Sequence, residues 1–191
     1  MTNNDGNEPW SHSSLVARHS SLLGSPEAGV RAAALEWLGA HAPRALTTAH
    51  AHLLRDPELA VRAAAAVAFR ASPDPALANG ARRALRDLIT GDLASRYAGL
   101  RVAATLANPF TIPRLLPFLQ DPDPETRRLT LLALATPPPG LVAPVLVEAA
   151  ARPLLADPEP GVRDAARDLL ATVRRNAEPA TPAIAPADGV H

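Results

Sequence analysis

The chain has no cysteine and no lysine, one tyrosine and one methionine, and aromatic residues make up 3% of its 191 positions. Without cysteine there is no disulfide, thiol nucleophile or thiolate metal site, and nothing indicates the redox compartment. All 19 basic residues are therefore arginine, and 19 acidic residues balance them to a formal net charge of zero. A neutral chain sets up no overall field that would draw it to nucleic acid or to a membrane surface. No run of 18 apolar residues occurs, so no membrane span is expected. The opening stretch MTNNDGNEPWSHSS lacks the basic and apolar regions of a signal peptide, which makes the cytoplasm the expected location.

What is present is alanine and leucine, within an apolar fraction of 47%. Both have high helix propensity, and isoleucine is scarce, so the composition favours an all-α domain. A phrase also recurs. LLRDPELAVRAAA (Leu53 to Ala65) returns as FLQDPDPETRRLT (Phe118 to Thr130), as LLADPEPGVRDAA (from Leu154) and as LLGSPEAGVRAAA (from Leu22). Self-similarity at a fixed period is the signature of stacked repeats. The arginine of each copy serves as an anchor: Arg31, Arg62, Arg127 and Arg163.

A degenerate copy belongs midway between Arg62 and Arg127, where Arg96 and Arg101 compete. On a helix the apolar stripe recurs at i, i+3, i+4, i+7 and i+8. Counted from the residue before the arginine, the clear copies give Val30, Ala33, Ala34, Trp37, Leu38 and Val61, Ala64, Ala65, Ala68, Phe69. Arg96 gives Ser95, Ala98, Gly99, Val102, Ala103, whereas Arg101 would put Thr105 and Asn108 on the stripe. Arg96 is the anchor, and the spacings become 31, 34, 31 and 36 residues.

Each anchored helix is preceded by another, expected over Ser14–Leu23, Arg44–Leu54, Ala76–Ile89, Ile112–Leu119 and Leu141–Leu155. Pro117 and Pro153 fall inside these segments and should kink or shorten them. Residues 1–12 and 176–191 lack helical periodicity and are expected to be disordered, leaving repeats over 13–175.

The links carry Asp56-Pro57…Val61-Arg62, Asp121-Pro122…Arg127 and Asp157-Pro158…Val162-Arg163, with looser versions at Ser25-Pro26…Arg31 and Gly91-Asp92…Arg96. On these residues the chain resembles the HEAT family, in its short-period branch named after phycobilisome-lyase repeats. The resemblance implies a right-handed α-α superhelix, a solenoid of about five antiparallel helix pairs. It also implies a structural ladder joining Asp56, Asp121 and Asp157 with Arg31, Arg62, Arg96, Arg127 and Arg163. The local physics agrees. Aspartate at the start of a helix accepts free N–H groups, proline in a first turn loses only an orphan N–H, and the arginine can reach carboxylates of its own and the neighbouring repeat.

The family hosts a few enzymes, and their residues are missing here. With no cysteine and few aromatics nothing suits a bilin chromophore, no His-Glu dipeptide supports an iron site, and Trp37 falls on the apolar stripe, not in a basic groove as in the HEAT-like DNA glycosylases. No P-loop, G-x-G-x-x-G or G-x-S-x-G pattern occurs. His41, His50 and His52 are close in sequence, but His50 and His52 lie about 200° apart on a helix and cannot share an ion. The sequence thus gives no catalytic residue, cofactor or metal.

In HEAT-type stacks the anchored helices line the concave side, so the resemblance places the remaining surface on that concave face, at positions off the apolar stripe. It carries Arg70, Tyr97, Arg101, Arg128 and Leu132, a mixture of the kind found at protein-binding hot spots. The expected partner is a protein, through an acidic or amphipathic segment. Two readings stand beside it: nucleic-acid binding through these arginines plus Arg82, Arg83 and Arg86, disfavoured by the acidic residues among them, and a purely structural role as accessory to a neighbouring subunit.

Overall fold

The computed structural model describes residues 11–106, 112–135 and 144–177, and the chain divides into two compact units, Met1–Asn108 and Pro109–His191. All regular structure among the described residues is helical, so the protein is all-α. The expectations for residues 1–10, 141–143 and 178–191 lie outside the described residues. Ser11 and His12, expected to be unstructured, instead cap and begin the first helix, and the last helix runs through Ala177.

The first unit holds α1 (His12–Leu22), α2 (Ala28–His41), 3₁₀ turns at Pro43–Ala45 and Thr48–Arg55, α3 (Leu59–Arg70), α4 (Pro75–Thr90) and α5 (Leu93–Thr105). α1 packs on α2, α2 on α3, and α3 on α4 and α5. The Thr48–Arg55 segment packs on both α3 and α4, and α4 on α5. An α-helix was expected over Arg44–Leu54. The tighter winding has a consequence: at about 2.0 Å rise per residue, eight residues span what roughly eleven α-helical residues would. Its start is held by a reciprocal cap in which the Thr47 N–H donates to His50 Nδ1 at 3.1 Å.

The second unit holds α6 (Ile112–Leu115), α7 (Pro124–Ala135), α8 (Pro144–Ala151) and α9 (Pro160–Ala177). Here α7 packs on α9, and α8 on α9. α6 passes into a 3₁₀ segment at Leu116–Gln120 and α8 into another at Arg152–Ala156. Pro117 and Pro153 are the second residues of these segments. Each lacks the N–H that would continue the α ladder and crowds the carbonyl four residues back, so the helix shortens there.

The stripe appears in the burial. Val61, Ala64, Ala65, Ala68 and Phe69 are all buried, as are Gly99, Val102 and Ala103 in α5 and Leu106 just after it. A second buried position, four residues after the anchor, was not read from the sequence. Leu35, Ala66, Leu100 and Leu131 occupy it, each at most 1% exposed. Arg167 takes that place in α9 and is exposed. The signal was present in the sequence: four apolar residues in five copies. A single-stripe reading misses it because each of these helices has more than one neighbour to pack against.

Two glycines permit close helix contacts. A Cβ on Gly39 would stand 2.8 Å from the Ala68 Cα, where α2 meets α3. One on Gly99 would stand 2.8 Å from the Ile89 main-chain nitrogen, where α5 meets α4.

Trp37 corrects an expectation. It lies only half-buried at the edge of the core, and Ala33 beside it is exposed. α1, its neighbour, contributes no fully buried side chain. Histidine rings cover the indole instead: His19 stacks at 4.0 Å between centroids and 10°, and His41 at 4.9 Å and 20°.

Candidate functional site

The Asp-Pro…Arg links form a repeated device with two arms. In the first unit Arg31 donates from Nε and Nη2 to the two carboxylate oxygens of Asp56, at 2.9 and 2.8 Å. Its Nη1 binds the main-chain carbonyls of Ser25 and Pro26. In the second unit Arg127 repeats this, with both bonds to Asp157 at 2.8 Å and Nη1 on the carbonyls of Asp121 and Pro122. A planar guanidinium matches a carboxylate edge to edge, so one fork makes both contacts without distortion.

The arginine does not reach the carboxylate of its own link, as the sequence reading allowed. It takes that link's two carbonyls, while the aspartate is turned toward the previous anchor and also accepts an N–H from the residue two positions on, at 2.9 Å for both Glu58 and Glu159. Both rungs are mostly shielded, with side chains 12% and 7% exposed in one and 12% and 5% in the other. The arginine hydrogen bonds hold Asp56 and Asp157 below the usual carboxylate range, against the opposing effect of burial. The same bonds raise Arg31 and Arg127.

Of the other ladder residues, Arg163 has Nη1 on the carbonyls of Asp157 and Pro158. Arg96 is half-buried in the first turn of α5, and Asp121 accepts the Asp123 N–H at 3.0 Å.

Arg62 holds one arm of the device. Its Nη1 donates to the carbonyls of Asp56 and Pro57, both at 2.8 Å, and among the described residues Nε and Nη2 have no hydrogen-bond partner. The cause lies in the link between α4 and α5. Six residues before Arg96, where Asp56 and Asp157 stand relative to their anchors, is Thr90, the last residue of α4. The acidic residue, Asp92, comes two positions later and caps α5, accepting the Ser95 N–H at 2.8 Å. Bonds from the Ser95 hydroxyl and N–H lower its pKa, with Arg62 a weaker contributor.

A groove of about 690 Å³ opens here among the Thr48–Arg55 segment, α3, α4 and the start of α5. Leu54, Leu77, Gly80 and Leu88 are among its apolar lining residues, Arg55, Arg62 and Arg83 are its cationic ones, and His52 also lines it. Asp87 is the carboxylate in its lining, and it stands 3.9 Å from Arg86. The sequence reading did not find this groove. The one available signal was the absence of Asp-Pro in the third link.

The off-stripe residues are distributed unevenly. Arg70 on α3 and Arg101 on α5 are exposed and make no ion pair among the described residues; Tyr97 is half-buried a turn before Arg101. In the second unit Leu132 is 38% exposed. Arg128 is occupied: it forms a bidentate pair with Glu125 at 2.7 Å for both bonds, which raises its pKa. It therefore offers a partner much less than its place in the row suggested.

His41 and His52 turn Nδ1 onto main-chain carbonyls of their own segments, at 2.9 Å each. Burial and the nearby His52 lower the pKa of His50. Among the described residues no three His, Asp or Glu side chains come together as a metal ligand set, and no helix is long and apolar enough to cross a membrane.

No family model matches the chain, and no curated protein matches it. Among solved structures it is similar to an engineered protein known from a crystal structure, 16% identical, with 84% of this chain and 97% of that chain covered and a TM-score of 0.43. A likeness at that level carries no argument about function.

Proposed function

We propose that this protein is a non-catalytic interaction module, a solenoid of HEAT-type helix pairs that holds a segment of another protein on its arginine-bearing surface. The solenoid reading draws support from the packing order. In the first unit each anchored helix lies against the next, α2 on α3 and α3 on α5, while Thr48–Arg55 lies against α4 in a second row. The second unit follows the same rule, with α7 on α9 and the Leu116–Gln120 segment on α8. Stacks of this kind expose long surfaces suited to extended partners.

The observation that carries the binding reading is the pair Arg70 and Arg101. They are exposed, free of intramolecular ion pairs among the described residues, and sit on two helices that pack together, with Tyr97 close by in α5. Arginine and tyrosine are enriched where binding energy concentrates. In this reading the protein works in the cytoplasm and needs no cofactor.

The test is crosslinking and affinity purification from the native host, with the crosslinks mapped to residues. The double variant Arg70→Glu/Arg101→Glu should lose the partner. Undiminished capture by that variant would overturn the assignment of this face. Capture of nucleic acid that weakens steeply with salt, centred on the exposed Arg82, Arg83 and Arg86, would favour the alternative.

A further inference from the structure

We propose that the groove beside Arg62 is a second contact site, in which a carboxylate side chain from an acidic segment of a partner protein occupies the fork of Arg62 and supplies the missing rung in trans. The proposal rests on the interaction-module reading and adds to it a place and a chemistry.

Two rungs are complete. Arg31 and Arg127 have Nη1 fastened to two main-chain carbonyls and use Nε and Nη2 to hold both oxygens of one carboxylate. Arg62 has its Nη1 fastened to the corresponding carbonyls at 2.8 Å each. Its side chain is thus pinned by the same anchorage, and the two donors that face a carboxylate in the other copies have none among the described residues. Pinning lowers the entropic cost of accepting a ligand, because the fork is already ordered.

The space is also there. The groove is about 690 Å³, within the range of small-ligand and side-chain pockets, and Arg62 is in its wall. Arg163 makes the same two carbonyl bonds but does not line this groove. The wall adds Arg55 and Arg83, so three guanidinium groups stand against two carboxylates, Asp87 in the lining and Asp92 near Arg62, and the balance favours an anion. Asp92 does not fill the fork, since it is committed to Ser95 as the cap of α5.

A carboxylate on a peptide fits better than a free anion. The lining is also partly apolar: the half-buried Leu54, beside the buried Leu77 and Leu88, gives purchase to the stem and neighbouring side chains of an acidic segment. Nucleic acid would need a longer cationic track than a groove that includes Asp87 beside Arg86.

The probe is a fluorescein-labelled octapeptide of alternating glutamate and alanine, compared with its glutamine counterpart, on the full chain. Saturable binding of the glutamate peptide is expected, weaker by roughly tenfold or more for the glutamine peptide. The Nε–Hε signal of Arg62 in a ¹⁵N NMR spectrum should shift on titration. Arg62→Gln should weaken binding by roughly tenfold and the exposed Arg83→Gln by a few-fold, whereas Arg70→Gln and Arg101→Gln should leave it unchanged.

Absence of saturable binding below about 1 mM would overturn the proposal. So would equal affinity for the two peptides, an Arg62 signal that does not move in the native protein, or displacement of the peptide by a single-stranded oligonucleotide at lower concentration. Because Arg83→Gln and the NMR signal do not depend on the folding of Arg62→Gln, they decide the matter if that variant is unstable. Loss of partner capture in Arg70→Glu/Arg101→Glu with an unmoved Arg62 signal would leave the reading of that face standing and remove this one. The reverse result would keep the groove and remove the face.

Discussion

Between α2 and α3 the Arg31–Asp56 rung closes the seam, and a Cβ on Gly39 would run into the main chain of α3. One repeat further on, Arg62 meets no carboxylate among the described residues, and a Cβ on Gly80, the glycine lining the groove, would meet only the end of a flexible side chain, Leu54 Cδ1, at 2.9 Å. Both seams set the anchor arginine on the corresponding pair of link carbonyls. What separates them is the link that follows. It supplies an aspartate six residues before the next anchor in one case and in the other absorbs that position into α4 as Thr90. A regular scaffold thus gains a local site by omitting one residue of a structural motif, without adding any new feature.

The comparison can be broken at several points. The largest effect is expected from Gly39→Val, which forces α2 and α3 apart and should cost about 3 kcal/mol by denaturant unfolding. Gly80→Ala at the open seam should change stability by less than about 1 kcal/mol, since Leu54 can turn aside and alanine favours helix. Equal losses in the two variants would show that the seams are packed alike.

Next comes the rung. Asp157→Ala removes both bonds to Arg127 and the one from Glu159, and leaves a shielded guanidinium without its partner. A loss of about 2 kcal/mol is expected. Thr90→Ala, at the corresponding place in the link without a rung, should cost under about 0.5 kcal/mol. Chemical denaturation of the two variants in parallel checks the contrast.

The rungs also write a pH signature. Asp56 and Asp157 have folded pKa values below the unfolded one, near 3.9, so the unfolded chain takes up protons first as acid is added. Their stabilisation is complete above about pH 4 and is lost as pH falls through the depressed folded values. The double variant Asp56→Asn/Asp157→Asn should therefore unfold more readily at neutral pH and show a shallower acid dependence. Part of the slope should remain, because Asp92 at the open seam is also depressed by its bonds to Ser95. Acid titration of the melting temperature distinguishes the two contributions.

A smaller effect than the loss of a whole rung sharpens the comparison most. Arg62→Gln forfeits two bonds to carbonyls but no rung, for about 1 kcal/mol. Arg31→Gln loses the carbonyl bonds and the carboxylate together, and its melting temperature should fall further. If both fell equally, the rung would contribute nothing to the closed seam.

Much of the helical register was legible in the sequence, since helical periodicity is local. The choice of Arg96 over Arg101 needed only the spacing of Gly99, Val102 and Ala103, and those residues are buried while Arg101 is exposed. Pro117 and Pro153 marked the points where α6 and α8 give way to 3₁₀ turns, because a missing N–H acts wherever it falls. The candidate groove was much less legible. It is defined by what four separate elements leave unfilled, and no single segment records that.

Trp37 shows the same limit within one helix. Its place on the apolar stripe was plain, but how deeply it sits depends on what α1 brings against it. α1 brings His19 and α2 itself adds His41, so the indole is stacked at the margin, neither wholly in the core nor in solvent. Arg128 is similar. The sequence put it off the apolar stripe, and a neighbour three residues away, Glu125, had already engaged it.

The sequence by itself determined that the protein is helical, where the anchored helices start and which arginines recur, because helix propensity, proline and the 3.6-residue period act over a few neighbouring residues. Tertiary structure decided which oxygen each arginine meets, that Asp56 and Asp157 turn back to the preceding anchor, and that Arg62 has an open fork beside a groove. Those outcomes require two or more segments to arrive at one place, and their distances are set by how the helices pack.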